Sequence, residues 1–458
     1  MKLFLTILLL TSSVKAKELS HRDIYNAVNN YHPKLLENLL KVEEYKGRIQ
    51  ESKGEFDTKF QANYFDRTSG YYTGNNLSAT LSKPIGALNS KIYGGYKKGT
   101  NTQPIYDGQY LTGNDGRYVI GGEINIFRNS EIYQNSINVL KSKMDMEKIK
   151  ILYDLTRIDV LKKALFSYWD WVAKGMKLQA YKNLLQLAEA RQVTMNTQVK
   201  HGDIAQYYAI ENTQYIMQRR NQLQDAQNQF NIASYNLSIY LRNSNGEMVS
   251  VDKSNIPKKI SSVYFPVNAH NDIQTAKQVN PSLKMLSIEI AKEENNIKIA
   301  KAKTLPKASL QGEYYQDMGT RPTSKQNARA RIGIMFEMPL ERRSGSGKIV
   351  QIQNKVRQIK QQAILIENTI FSNIQGGAST VQAFTVMWHN AEKEYKIASQ
   401  LVRLERQSVD EGNSDFFTLN LREQSQFQAK VKAIDFHANL NKAYIDYSAL
   451  LMKIDTLF

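Results

Sequence analysis

The residue types that most often carry chemistry are few and scattered in this sequence. The six histidines lie far apart along the chain: His21, His32, His201, His270, His389 and His437. No two of them have the spacing that places metal ligands on one helix face, and there is no cysteine to serve as a ligand or nucleophile. We therefore expect no catalytic residue, no metal site and no cofactor, and a protein that is not an enzyme.

A phosphate-binding loop is also not predicted. The nearest approach to one is Gly347-Lys348, but Arg342 occupies the position of the first glycine and Ile349 that of the hydroxyl residue. We interpret residues 344–348 as a link between a strand and a helix.

The chain is strongly basic, with 61 lysines and arginines against 43 acidic residues and a formal net charge of +18. Such an excess is typical of proteins that bind nucleic acid or anionic membranes. Residues 1–16, however, have the pattern of a secretory signal peptide, with Lys2, an apolar stretch from Leu3 to Leu10 and a cleavage site ending at Ala16. We expect an exported protein that binds no nucleic acid and, because it lacks cysteine, carries no lipid anchor.

Long stretches without proline predict long helices, because proline in a helix interior costs about 3 kcal/mol. Residues 105–256 and 340–458 contain none. A helix from about Asn129 to Lys200 would be roughly 100 Å long and needs a helical partner. Apolar residues recur along it at the three- and four-residue steps of a coiled-coil seam: Ile151, Leu155, Ile158, Leu161, Leu165, Tyr168 and Val172.

Each long helix is predicted to turn back at a glycine, Gly202 in the first hairpin and Gly412 in the second. We expect Asp203 to cap a return helix that reaches about Arg242. The second hairpin is predicted to combine a helix at about 348–409, kinked near residues 376–377, with a last helix from about Asp415 to the C-terminus. The tryptophans are interpreted as packing between helices: Trp169, Trp171 and Trp388.

Several segments between the helices alternate apolar and polar residues with the period of a β-strand. Ile332, Ile334 and Phe336 fall on one face of a strand, and Arg331 and Glu337 on the other. Similar runs occur at 60–64, 77–82, 118–126 and 308–314. Short alternating strands rich in tyrosine and phenylalanine are typical of a transmembrane β-barrel, although the half-buried sheet of a soluble domain has the same pattern.

The two halves of the chain resemble each other. His32-Pro33-Lys34-Leu35 corresponds to Asn280-Pro281-Ser282-Leu283, and the turn at Gly202 corresponds to that at Gly412. The first half carries extra residues between Pro84 and Tyr118, which add two strands to the sheet or form a separate hairpin. One chain has roughly four to six strands, fewer than the smallest barrels, so closure of a barrel requires several chains.

These features divide the chain into four segments. They are a signal peptide at 1–16, a first repeat at 17–243 with strands at about 56–127 and a turn near 201–203, a linker or equatorial segment at 244–268, and a second repeat at 269–458 with strands at about 306–340 and a turn near 411–414.

At this point the sequence resembles the TolC family of outer-membrane efflux and secretion channels. The two helix starts with proline and the two glycine turns carry the resemblance, together with the strand-to-helix joints at 124–127 and 336–340. Residues 168–171 and 188–191 are similar to one branch of the family. Each motif alone is too degenerate to identify a family. The order, spacing and duplication of the motifs together make the resemblance specific.

The resemblance implies a mainly α-helical chain with a transmembrane β part. Three chains would form a homotrimer that closes one β-barrel in the outer membrane of a Gram-negative bacterium, in contact with its lipid. Their antiparallel hairpins would form an α-barrel tunnel through the periplasm. Such passive channels work with a periplasmic adaptor, or membrane fusion protein, and an inner-membrane pump of the RND or ABC type, in tripartite efflux or type I secretion.

The resemblance also implies functional residues near the two turns. Members of the family narrow there, often with acidic rings, but Thr418 and Leu421 occupy positions where some members have aspartate. The candidates for the constriction are therefore Glu211, Asp415, Phe416, Phe417, Thr418 and Leu421. The expected adaptor contacts are Gly202, Asp203, Ile204, Gly412, Asn413 and Ser414.

One alternative function stays open at the level of sequence. A periplasmic coiled-coil adaptor or scaffold that forms no channel would also be exported and helical, and its β-segments would form a soluble domain. Adaptors usually have one helical hairpin, whereas this sequence predicts two.

Overall fold

The computed structural model describes residues 18–70, 73–100, 112–257, 262–320 and 328–458. The predicted signal peptide lies outside these residues. The chain divides into two compact units. Unit 1 contains the described residues up to Leu39, Tyr153–Pro281 and Ile366–Phe458, and unit 2 contains Leu40–Leu152 and Ser282–Leu365.

The described residues form eight α-helices and six β-strands. The helices are α1 His21–Tyr31, α2 Pro33–Gly54, α3 Glu131–His201, α4 Gln206–Ser238, α5 Ala269–Val279, α6 Pro281–Ala302, α7 Arg343–Asp410 and α8 Phe416–Leu450. The strands are β1 Lys59–Arg67, β2 Gly74–Ile85, β3 Ser90–Gly99, β4 Arg117–Asn125, β5 Lys307–Asp317 and β6 Arg329–Glu337. No helix in the described part of the chain is both long enough and apolar enough to cross a lipid bilayer.

The long helices confirm the prediction from the proline-free stretches, since α3 has 71 residues and α7 has 68. The predicted seam is buried from Ile158 onward, and Leu161 and Leu165 are fully inaccessible. Farther along α3, Ala180 and Leu184 pack against Phe427 of α8, and Ala188 packs against Ile216 of α4. Small residues on α3 thus let the neighbouring helices of unit 1 approach closely.

The tryptophans lie between helices, as the sequence indicates. Trp169 and Trp171 are fully buried, and Trp171 Nε1 donates a hydrogen bond to Ser234 Oγ at 3.1 Å. Trp388 stacks on His437 with ring centroids 4.9 Å apart.

Three boundary predictions need correction. The segment 344–348 is no link, because α7 begins at Arg343 and includes it. The kink near residues 376–377 stays a prediction. Both glycines lie within α7, and a Cβ on Gly377 would lie 3.0 Å from the Tyr447 ring, so this glycine permits close packing. Helices α4 and α8 end earlier than expected, at Ser238 and Leu450.

The cap prediction for Asp203 is wrong. The backbone N–H of Asp203 donates to the carbonyl of Gln198 at 2.9 Å and so closes the end of α3. Helix α4 begins later, with Ala205 as its N-cap and no side-chain cap bond. The second turn differs, because Asp415 caps α8 and accepts a hydrogen bond from the Thr418 N–H at 2.7 Å.

Unit 2 contains one antiparallel sheet with the strand order β1-β2-β3-β4-β5-β6. The extra residues of the first half contribute to this sheet, because β2 and β3 form a hairpin between β1 and β4. Strands β4 and β5 then join the two halves of the chain, with Ile120 opposite Tyr314. Of the range of four to six strands predicted from the sequence, the described residues form six, all in this one sheet.

The two glycine turns have the same geometry. Gly202 and Gly412 have φ values of +79° and +77°, and each follows the last turn of its helix. A Cβ at either glycine would meet nothing within 4 Å, so a substitution there would be penalised by backbone strain alone.

We therefore predict that the double substitution Gly202→Ala/Gly412→Ala lowers stability by about 2–4 kcal/mol, because each alanine must adopt a left-handed conformation. The unfolding temperature, followed by circular dichroism, should fall. Gly47→Ala is the matched control: Gly47 also has open space around it but lies within α2, where alanine is favoured by up to about 1 kcal/mol. Equal effects at the turns and at Gly47 would contradict the prediction.

Candidate functional site

The sheet of unit 2 has one apolar face that is fully exposed in a single chain. Strand pairing keeps residues of the same kind side by side: Phe60 is opposite Leu81, Ile120 is opposite Tyr314, and Leu310 is opposite Ile334. The large side chains of this apolar face are Phe60, Tyr64, Leu77, Leu81, Ile92, Tyr118, Ile120, Ile124, Leu310, Tyr314, Ile332, Ile334 and Phe336. All of them are exposed, and Ile332 is 78% accessible.

The opposite face of the sheet is predominantly polar, although Phe65 and Met335 also lie on it. Arg117 Nε bonds Asp317 Oδ1 at 2.8 Å, and Arg331 Nη2 bonds Glu313 Oε2 at 3.0 Å. An apolar surface of this extent has to be covered by another apolar phase, whereas the polar face suits contact with water. The sheet therefore has the chemistry of a wall between lipid and an aqueous space.

A second candidate site lies in unit 1, beside the two glycine turns. Glu211, Phe416 and Phe417 line one small crevice together with Tyr208 and Tyr215. Tyr215 donates a hydrogen bond to Glu211 Oε1 at 3.0 Å, so this carboxylate is held within its own helix. The structure thus brings residues from both turns together.

The other constriction candidates lie on the first turns of α8. Phe417 and Leu421, one helical turn apart, are both exposed, at 53% and 59%. Thr418 is half-buried, and its N–H binds Asp415. This backbone hydrogen bond lowers the pKa of Asp415, so the carboxylate is ionised at neutral pH.

The turn residues expected to contact an adaptor are accessible in the single chain. Gly202, Asp203, Gly412 and Asn413 are exposed. Ile204 and Ser414 are half-buried, and Ser414 Oγ donates to Glu405.

Unit 1 contains a buried charge cluster that the sequence patterns do not predict. The Glu423 carboxylate of α8, 1% exposed, accepts a hydrogen bond from Arg191 of α3 at 2.5 Å and another from Arg406 of α7 at 3.4 Å. Arg219 of α4 lies 3.9 Å away and donates to Asn420 Oδ1 at 2.6 Å. We call these four charged residues the Glu423 cluster.

The Glu423 cluster joins helices of both hairpins through one buried anion. Burial lowers the pKa of Arg219, and the negative charge of Glu423 opposes that shift. The signal in the sequence is a charge on an apolar seam: Leu419, Glu423 and Phe427 recur at four-residue steps and all three are buried. A carboxylate buried this deeply is costly unless cationic and hydrogen-bonding partners such as these surround it.

Comparison with solved structures identifies the fold, whereas two comparisons at the level of sequence find nothing. No protein-family model matches the chain, and no curated protein matches it in sequence. The Neisseria gonorrhoeae MtrE outer membrane channel in its open state superposes with a TM-score of 0.69, covering 97% of this chain and 93% of that chain at 11% identity. The chain has the fold of TolC-family outer-membrane channels.

Two further solved structures agree with this. The Vibrio cholerae outer membrane protein VceC has a TM-score of 0.68, with 94% of this chain and 95% of that chain covered at 10% identity. The Campylobacter jejuni CmeC outer membrane channel has a TM-score of 0.67, with 95% and 86% covered at 12% identity. The TolC-family resemblance predicted from the sequence is thus confirmed, at the level of the fold.

We predict that Glu423→Gln destabilises the protein by about 3–5 kcal/mol, because Arg191 and Arg219 would remain buried without a counter-charge. Thermal unfolding, followed by circular dichroism, measures the loss. The control is Glu189→Gln, which removes an exposed partner of Arg220 and should cost no more than about 1 kcal/mol. A change at Glu423 no larger than that at Glu189 would disprove the role of the cluster.

Proposed function

We propose that this chain is the subunit of a passive export channel in the outer membrane of a Gram-negative bacterium. The single observation that carries the proposal is the exposed apolar face of the six-stranded sheet, which has a polar opposite face. In a TolC-type fold this sheet is the part that meets outer-membrane lipid. The proposal includes no catalysis by the chain itself and no binding of nucleic acid.

A homotrimer is the assembly that we propose. One chain presents an open sheet, and backbone groups at an open edge cannot be satisfied in lipid, so several chains must close the barrel together. The helical hairpins of unit 1 would line a periplasmic tunnel. One hairpin belongs to the proposed first repeat, 17–243, and the other to the proposed second repeat, 269–458. The equal lengths of α1 and α5, both 11 residues, and of α2 and α6, both 22, support a duplicated origin.

The partners that fit this function are a periplasmic adaptor and an inner-membrane pump of the RND or ABC type. The exposed turns at 202–204 and 412–414 are the proposed adaptor contacts. Both tripartite efflux and type I secretion are compatible with such a duct.

The test of this function is assembly and conductance. Detergent-solubilised full-length protein should run as a trimer and form ion-conducting pores in planar bilayers. A soluble monomer that needs no detergent would overturn the proposal and favour a periplasmic adaptor or scaffold, which a high-salt wash would release from membranes. The exposed apolar face disfavours that alternative.

We further propose that Phe417 and Leu421 form an apolar constriction of the tunnel. Both are exposed in one chain and lie on one side of α8, near the turn. The double substitution Phe417→Ala/Leu421→Ala should raise single-channel conductance severalfold, because it removes the bulk that narrows the pore. Val386→Ala, at a comparably exposed residue of α7, is the control and should leave conductance unchanged.

The acidic alternative is separable in the same recordings. If Glu211 and Asp415 form the narrow ring instead, Glu211→Gln/Asp415→Asn should reduce cation preference, and the alanine variants at 417 and 421 should have no effect.

A further inference from the structure

The two edge strands of the sheet, β1 and β6, are complementary in length, direction and side-chain pattern, but within one chain they lie at opposite edges and do not pair. We propose that β6 of one copy pairs with β1 of the next copy along their whole length, with Lys59 opposite Glu337. Three copies would then close an 18-stranded barrel. This inference rests on the proposed trimeric channel and adds to it the partner surface, the pairing register and the width of the pore.

Strand direction and length fit the junction. Every neighbouring pair in the sheet is antiparallel, and six strands are an even number, so β1 and β6 run in opposite directions. Both strands have nine residues. An antiparallel pair of equal strands leaves no unpaired backbone within its overlap.

The faces of the two strands also match in this register. Phe60 would lie opposite Phe336, Ala62 opposite Ile334, and Tyr64 opposite Ile332, which continues the apolar face across the junction. Only the last pair on this face, Asp66 and Ala330, includes a charged residue. On the polar face, Lys59 and Glu337 would form an ion pair across the junction. A slip of one residue would turn one strand over and place its polar residues in the apolar face.

The stagger of the sheet gives an independent check. We follow the paired residues across the sheet from one edge to the other. Starting at Phe60 of β1, they are Leu81, Gly94, Ile120, Tyr314 and, on β6, Ala330. The proposed register places Ala330 opposite Asp66 of the next copy, which is about six residues, or roughly 20 Å, farther along β1.

This stagger determines the tilt of the strands. Six strands at about 4.8 Å spacing are roughly 29 Å wide, so a stagger of about 20 Å corresponds to a tilt of about 35°. Closed barrels have tilts of about 35–45°. A register two residues shorter gives about 25°, outside that range, and one two residues longer leaves ends of both strands unpaired. The resulting barrel would be about 34 Å across between backbones, wide enough for an aqueous channel.

Cysteine cross-linking tests the junction, because the natural sequence contains no cysteine. Two variants of the full chain carry cysteine pairs in register: Tyr64→Cys/Ile332→Cys on the apolar face and Asn63→Cys/Gly333→Cys on the polar face. Within one chain, β1 and β6 are separated by four strands, so a disulfide between these positions joins two copies. Oxidation of membranes should convert at least one variant to covalent dimers and trimers on a non-reducing denaturing gel.

Two control variants keep one cysteine at position 64 and move the second cysteine, either to the other face of β6 or out of the proposed register. Tyr64→Cys/Gly333→Cys combines opposite faces, and Tyr64→Cys/Phe336→Cys is four residues out of register. Both should cross-link at least tenfold less than the better in-register pair.

The outcomes separate this inference from the proposed function. Trimers that conduct ions but cross-link better in a control than in register would overturn the junction and leave the channel intact. Trimers that cross-link in none of the four variants would do the same, because another segment or molecule would then cover the edges. Failure to form any conducting trimer would overturn the proposed function itself.

Discussion

The alternation of side chains across paired strands is the constraint on which the β part of this protein depends. All five pairings of the sheet preserve the same parity, so Phe60 at one edge and Phe336 at the other belong to one apolar face. A single slipped strand would mix lysine and glutamate into that face. Gly94 and Gly122 lie on this face among the tyrosines and isoleucines. They add no polar side chain to it, so the face stays apolar.

The helical part is organised by a different interaction. Its seam is built from small and branched residues, and the Glu423 cluster adds one buried anion that four helices share. Replacing one charged member is costly because its partners cannot regain water, so the cluster specifies which helix surfaces face each other. In the helical part, apolar packing provides most of the contact area. The ion pairs of the cluster fix how the helices are aligned along their axes.

Much of this fold follows from the sequence, and the exceptions have physical causes. The period of two in Ile332, Ile334 and Phe336 predicts β6, and the spacing from Ile158 to Val172 predicts the buried side of α3. The sequence alone does not decide strand β3, because Gly94 and Gly95 weaken its alternation, and its place in the sheet depends on pairing with β2 and β4. Asp203 has the side chain of a helix cap, but its backbone is already used to close α3.

The candidate sites are harder to predict from the sequence than the helices and strands, because most of them depend on tertiary packing. The glycine turns are local, so their positive φ values follow from a glycine placed at the end of a long helical pattern. The Glu423 cluster combines residues from four helices that are far apart in sequence, and no periodicity of a single helix contains it. The crevice shared by Glu211 and Phe416 likewise depends on tertiary packing.

The Glu423 cluster also distinguishes the two proposed repeats from each other. The first half contributes Arg191 and Arg219, and the second half contributes Arg406 and the carboxylate. Eleven residues after Gly412 the chain has Glu423, whereas eleven residues after Gly202 it has the uncharged Thr213. Two copies of the first half would therefore lack the anion, so the halves are no longer interchangeable, and a gene fusion of identical halves would have to evolve this charge balance again.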